Sequence, residues 1–274
     1  MARGEVLFGV AGWSYADWRG VVYPRDCADP LRAVAARVDA IEVNSTFYGV
    51  PKAATCRAWV ERTADLGTRF TAKLPQEFTH QRRCDAATIA ATRDGFAPLF
   101  ASGRMLGLLA QFAHDFAFSA ASMQHLRRLA GAFVGDGPLF VELRHRSWNS
   151  GDALAAVADL GLSVLALDYP GMVGGFSRDV PAMVGSGRMA YFRLHGRNRA
   201  WFRKGATRDE VYDWRYSASE VRQLAARIER LADAAPRTLV IANNHFHGKA
   251  MAVIEDLLAW YRRAAPGVKP RVDP

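Results

Sequence analysis

Eight short apolar runs, most of them followed by a stretch with helical period, recur along the whole chain, and this alternation restricts the fold more than any other feature. The runs fall at residues 6–11, 40–44, 69–74, 106–112, 139–144, 163–168, 190–195 and 238–244. Helical period fits residues 53–65, 85–100, 120–133, 152–160 and 249–263. Two further helices carry start signals. "DPLRAVAARV" offers Asp29 as an N-cap before Pro30, and "SASEVRQLAARIERLAD" sets Ser217 and Glu220 at capping-box spacing. Strand followed by helix, repeated, builds right-handed βαβ units with parallel strands inside and helices outside. Eight units in 274 residues, 50% of them hydrophobic, predict one domain over residues 1–274, a (β/α)8 TIM-type barrel. An open doubly wound sheet is the alternative. Against it, "GVAGWSYADW" after the first strand carries neither G-x-G-x-x-G nor phosphate-loop spacing. Two stretches break the pattern. Residues 169–187 are too rich in Gly and Pro for a sixth helix, so an irregular segment is expected after strand six, and residues 196–216 form a second long connection.

Seven of the eight strands end in polar residues after an apolar run, and in this fold strand C-terminal ends line the substrate mouth. Alternation turns Glu42 and Asn44 inward on strand two and Lys73 on strand three, while Ile41 and Val43 face the helices. Strand four offers Gln111, strand five Glu142 and Arg144, strand six Asp168, strand seven Arg193 and His195, and strand eight Asn243 and Asn244. A Glu and an Arg two apart can be only a structural ion pair. Burying so many ions and amides without use, however, would cost several kcal/mol per unpaired ion, which favours a polar site.

Glu142, Asp168 and His195 are the expected general acid and base groups. Arg144, Arg193 and Lys73 are the expected holders of an anionic group, and Glu42, Asn44, Gln111, Asn243 and Asn244 would orient hydroxyls or carbonyls. No cofactor is expected. Glu42, Glu142, Asp168 and His195 have the atoms to ligate a divalent metal, although three inward cations would repel one. Trp13 and Tyr15, with Trp18, either cap the mouth and stack on a substrate ring or pack beneath the adjacent helix. His245 and His247 form an isolated H-x-H, read as surface or capping histidines.

The formal net charge of +9 favours anionic partners. The stretch "HGRNRAWFRKGATRDEVYDWRY" interleaves basic and aromatic residues, which suits either a lid over the mouth or contact with nucleic acid. Cys27, Cys56 and Cys84 lack disulfide or zinc spacing and are expected to be reduced. No apolar stretch has transmembrane or signal-peptide length, so a cytoplasmic location without membrane association is expected.

The stretches "GWSYADWRGVVYP", "IEVNSTFYGVP", "FTAKLPQEFTH", "VELRHRSW", "DYP", "YFRLHGRN" and "NNHFHGKA" together resemble the YecE-like proteins. This is the bacterial and archaeal family known as domain of unknown function seventy-two. The resemblance spans nearly the whole chain and implies a (β/α)8-type barrel without assigning catalytic residues. The expectation is an enzyme with a cationic mouth for a small anionic or polyhydroxylated substrate, acting by general acid/base chemistry as a hydrolase, lyase or isomerase. The competing readings are a nucleic-acid binding or processing protein and a non-catalytic metabolite-binding barrel. The oligomeric state stays open.

Overall fold

The eight apolar runs all form strands, and one of them is split. A computed structural model describes residues 4–171, 175–178, 184–185 and 188–264 of the chain. Within these, nine parallel strands make one sheet: β1 (Glu5–Ala11), β2 (Ala40–Val43), β3 (Arg69–Lys73), β4 (Met105–Gln111), β5 (Leu139–Glu142), β6 (Ser163–Val164), β7 (Ala166–Asp168), β8 (Met189–Leu194) and β9 (Arg237–Ala242). The sheet order, β6-β5-β4-β3-β2-β1-β9-β8-β7, has as its two ends strands separated in the chain only by Leu165. The sheet therefore closes on itself as a barrel. The expected sixth strand counts as two because its ladder partner changes at Leu165: β6 pairs with β5 and β7 with β8. Leu165 itself donates its N–H to Val141 O at 3.1 Å.

The described helices are α1 (Pro30–Ala35), α2 (Ala53–Arg62), α3 (Gln76–Thr79), α4 (Ala86–Ala101), α5 (Ala120–Phe133), α6 (Gly151–Ala158), α7 (Arg208–Tyr212), α8 (Ala218–Ala234) and α9 (Lys249–Ala264). The start signals act as read. The Asp29 side chain accepts from Arg32 N at 3.0 Å, and Ser217 and Glu220 cap α8 reciprocally. Val221, Leu224, Ala225, Ile228 and Ala232 form the buried stripe of α8, at the spacing that one helix face requires. No helix occurs among the described residues between β7 and β8. Residues 172–174, 179–183 and 186–187 of the irregular segment lie outside the described residues. No described helix is long and apolar enough to cross a membrane.

Strand register sets what the barrel contains. Gln111 lies opposite Glu142, Leu167 opposite Arg193, and Arg193 opposite Ile241, so these residues share the inner face. Deeper in, Phe140 and Tyr191 meet edge to face at 5.0 Å and form an aromatic floor. The polar tips sit above this floor, where the last residues of each strand have no further apolar layer to cover them.

Candidate active site

Inward parity on β2, β5 and β8 brings Glu42, Glu142 and Arg193 into one cluster. Arg193 is 0% exposed. Its Nε and Nη2 donate to the two oxygens of Glu42 at 2.9 and 2.7 Å. Its Nη1 donates to Glu142 Oε2 and, at 3.2 Å, to Gln111 Oε1. The Tyr191 hydroxyl donates to Glu42 Oε2. Arg144, one turn of chain beyond β5, folds back so that Nε and Nη2 donate to Glu142 Oε1 at 2.9 and 2.6 Å. Two carboxylates thus meet two guanidiniums, whose planar forks match carboxylate geometry. Burial alone would raise the Glu142 carboxyl. The Arg193 and Arg144 charges outweigh it and hold that carboxyl well below its ordinary range.

His195 stands beside this cluster, with Nε2 3.5 Å from Glu142 Oε2 and Nδ1 3.0 Å from the Asn243 amide nitrogen. With that amide donating, a neutral ring carries its proton on Nε2, facing Glu142. Burial, with Arg193 adding to it and Glu142 opposing it, brings the imidazole down to about 4, so the ring is neutral at pH 7. Lys73 sits at the tip of β3, with Nζ 5.8 Å from the centre of the Phe47 ring. Among the described residues its ammonium has neither a hydrogen bond nor an ion pair. Burial, reinforced by the Arg193 charge, brings it down to about 7.

A cleft of about 380 Å³ opens on this cluster, and Glu142, Arg144, Leu167, Tyr169, His195 and Trp201 are among the residues lining it. Its outer wall is the connection of residues 197–216. The Trp201 ring lies 5.9 Å from His195 and 5.4 Å from the Arg144 guanidinium, and Tyr212 packs 5.5 Å from Trp201. The Trp201 indole N–H is buried with no acceptor among the described residues. The loop is therefore folded over the mouth with most of its aromatic residues turned inward, although Phe202 is 43% exposed. Arg197 and Arg203 are spent on Asp168 and Glu210.

Gly196 lets the loop leave β8. Its φ is +83°, and a Cβ there would stand 2.6 Å from Trp214 Cβ. Gly196→Ala is expected to lower stability by about 1–3 kcal/mol and to loosen the loop. Chemical denaturation together with faster tryptic cleavage at Arg199 and Arg203 would register both effects.

A second recess of about 270 Å³ holds Trp13, Tyr15, Asn44 and Arg208 among its lining residues. Tyr15 donates its hydroxyl to Ala11 O at 2.7 Å and stacks on His245 at 4.5 Å. The lid loop touches both recesses, through Trp201 and Phe202 in the first and Arg208 in the second.

Several expected placements need correction. Asp168 does not face the mouth. Its register partner is Leu194, whereas Leu167 pairs with Arg193 and lines the cleft. Asp168 points instead into the helix layer and accepts from Arg197 at 2.9 Å, Arg227 at 3.1 Å and Tyr216 at 2.9 Å. Arg193 is not an anion holder, because all three of its nitrogens are engaged by protein acceptors. Asn244 is not in the cleft lining; its amide donates to Trp214 O at 2.8 Å and so fastens the lid. His245 is buried rather than a surface group, packed between Tyr15 and Tyr212, and burial brings it down to about 4. The suggested metal ligands do not converge: Asp168 faces away, and Glu42 and Glu142 turn their oxygens to guanidinium. Among the described residues no group of three His, Cys, Asp or Glu is arranged to hold a metal ion.

Three contributors were not singled out from the sequence. Tyr191 has the same parity as Arg193, two residues earlier, and alternation was signal enough to find it. Tyr169 and His114 lie beyond strand ends, where no periodicity applies.

A family model described as "Protein of unknown function DUF72" matches residues 7–273. The chain is 24% identical over 282 residues to the UPF0759 protein YunF of Bacillus subtilis strain 168, covering 97% of this chain and 98% of that protein. The crystal structure of a DUF72 family protein from Thermotoga maritima matches with a TM-score of 0.83 at 27% identity, covering 94% of this chain and 100% of that one. A D-allulose 3-epimerase from Methylomonas sp. matches with a TM-score of 0.50 at 15% identity, over 96% of this chain and 99% of that one, a likeness of fold alone.

Proposed function

The chain belongs to the DUF72 family, and from that premise we propose that its barrel mouth is the active site of an enzyme that moves a proton next to the carbonyl of a small anionic or polyhydroxylated substrate. The observation that carries this reading is the Glu142–His195 couple, a carboxylate oxygen 3.5 Å from an imidazole nitrogen at the wall of an open cleft. Arg144 supplies the anion contact. Its Nε and Nη2 serve Glu142, while Nη1 has no protein partner among the described residues and the side chain keeps 22% exposure. His195, neutral with its proton on Nε2, donates toward a substrate oxygen as well as toward Glu142. Asn243 holds the ring orientation, and the lid removes water from the charges it covers. The shared barrel of a D-allulose 3-epimerase is compatible with such chemistry and adds only fold-level support.

Incubating the protein in deuterium oxide with aldoses, ketoses, their phosphate esters and 2-oxo acids tests the reading. Proton NMR should show exchange of the C–H beside the carbonyl for at least one class. Glu142→Gln should slow that exchange about 100-fold or more, and Arg144→Met should raise KM for the anionic members about tenfold or more. Saturable binding of one compound without exchange or turnover across the panel would select a metabolite-binding barrel instead.

A further inference from the structure

Lys73 is a primary amine among the inward strand tips that proton transfer leaves unused, behind the residues that line the cleft. It occupies the tip of β3 on the inner face, beside Phe47. The charged and titratable groups around it are Arg193 from β8, Glu42 from β2, Glu142 and Arg144 from β5 and its exit, and His80 at the end of α3. Both acids are already occupied. Glu42 receives two nitrogens of Arg193 and the Tyr191 hydroxyl; Glu142 receives Arg144 and Arg193. A protonated Lys73 would thus add an unmatched cation beside two others. Near neutral pH much of this amine is uncharged, which makes it a nucleophile rather than an anion clamp.

The bases at hand are weak. Glu142 is held well below the ordinary carboxyl range and the His195 ring titrates at about 4, so neither readily removes a proton from carbon beside an unmodified carbonyl. An electron sink on the substrate would close that gap.

We propose that Lys73 forms a Schiff base with the carbonyl carbon of a small keto substrate. The proposal rests on the proton-transfer reading of the same site and supplies its missing activation. The Nζ lone pair adds to the carbonyl carbon; the carbonyl oxygen takes a proton from water and the nitrogen gives one of its own to the hydroxide left behind, giving a neutral carbinolamine and restoring the water. Loss of the former carbonyl oxygen as water then leaves a protonated imine. Overall, ketone, amine and one proton give iminium and one water, with no change of oxidation state. The iminium draws electrons from the adjacent C–H bond, whose proton can then pass to the Glu142–His195 couple, and hydrolysis returns the free amine.

Reductive trapping tests the assignment. The protein is incubated with dihydroxyacetone, dihydroxyacetone phosphate or pyruvate and then with sodium borohydride, whose hydride converts an imine to a stable secondary amine. The chain has five lysines, so digestion and mass spectrometry locate any adduct unambiguously. The expected result is one adduct, on Lys73, with at least one of the three ketones. Lys73→Arg should abolish it, and Lys73→Met, which puts an apolar chain where a largely uncharged amine without a charge partner stood, should fold and lose C–H exchange about 100-fold or more. Adducts on other lysines with Lys73 unmodified would overturn the proposal. So would exchange that persists undiminished in Lys73→Met, an outcome that leaves the proton-transfer reading standing. A Lys73 adduct without exchange in the native protein would instead sustain the Schiff base and remove the proton-transfer reading.

Discussion

Arg193→Met lowers stability by about 3–5 kcal/mol, the loss expected when one partner of a buried ion cluster is removed. The side chain is fully buried and is the shared donor to Glu42 and Glu142. Met fills much of the volume, so the loss is mainly electrostatic: Glu42 keeps the Tyr191 hydroxyl, and Glu142 keeps Arg144 and the neighbouring His195 ring. The sign of the pH dependence follows. In the native protein Glu142 titrates below its unfolded value, so its stabilisation is present above about pH 4.3 and fades as pH falls through the folded value. In the variant the orphaned carboxylates favour their protonated form. Folded values raised in this way give stability that is present below about pH 4.3 and is lost as pH rises. The gap between the two proteins should therefore widen from about pH 4 to pH 7. Urea unfolding at both ends of that range measures it. A loss under about 1 kcal/mol, or one independent of pH, is incompatible with an Arg193 that ties both acids. Adding Glu42→Gln and Glu142→Gln to Arg193→Met should recover part of the loss, because the uncompensated charges then disappear.

The barrel was legible because its signals are local and repeated. Each strand is a short apolar run, helices such as α8 announce themselves through caps and stripe, and the βαβ rule then leaves little topological freedom. The division of the sixth strand at Leu165 was not legible, because it depends on which neighbour supplies the ladder and not on residue type.

Legibility of the site followed the reach of strand parity. Within strands, alternation placed Glu42, Lys73, Gln111, Glu142, Arg193 and His195 on the inner face, and Asn243 continues that pattern one step past β9. At strand ends it failed in two ways. Asp168 is the last residue of its strand, where position alone suggests the mouth, and register with Leu194 turns it outward. Asn244, past the end of β9, follows the loop and bonds to Trp214. Electrostatic roles were less legible still. Arg193, Arg144 and Lys73 look alike in a sequence as three cations; only the hydrogen-bond geometry separates a saturated structural guanidinium, a half-engaged guanidinium and an amine without a hydrogen bond among the described residues. That distinction changes the chemistry assigned to the mouth.

Asp168 offers the other large effect, and it arises from the correction of its role. Its buried carboxylate ties both ends of the lid. Arg197, at the lid's start, forks onto it, and Tyr216, at the lid's end, donates to Oδ2 at 2.9 Å while accepting from Gly196 N at 3.0 Å. Arg227 of α8 adds a third donor from behind and lies 4.4 Å from the Phe192 ring. Burial and the Asp168 charge keep the Tyr216 hydroxyl well above its usual titration range, so it remains a donor. Asp168→Ala removes the common acceptor and is expected to cost about 2–4 kcal/mol, discounted from a fully buried cluster because Arg197 and Arg227 retain some access to water. Residues 197–216 should then exchange amide hydrogens and yield to trypsin faster than in the native protein, since the two ends of the loop lose their shared acceptor and the loop keeps its aromatic contacts, the Asn244 bond and the more exposed pairs of Arg197 with Glu220, Asp213 with Lys249 and Arg215 with Asp256. Tyr216→Phe, which breaks the hydroxyl link alone, should cost about 1 kcal/mol and release mainly the end of the lid. A residue acting on substrate would behave otherwise: its removal would abolish turnover and leave the loop as protected as before. Hydrogen exchange across the loop in Asp168→Ala therefore separates an anchor from a catalyst without requiring that the substrate be known.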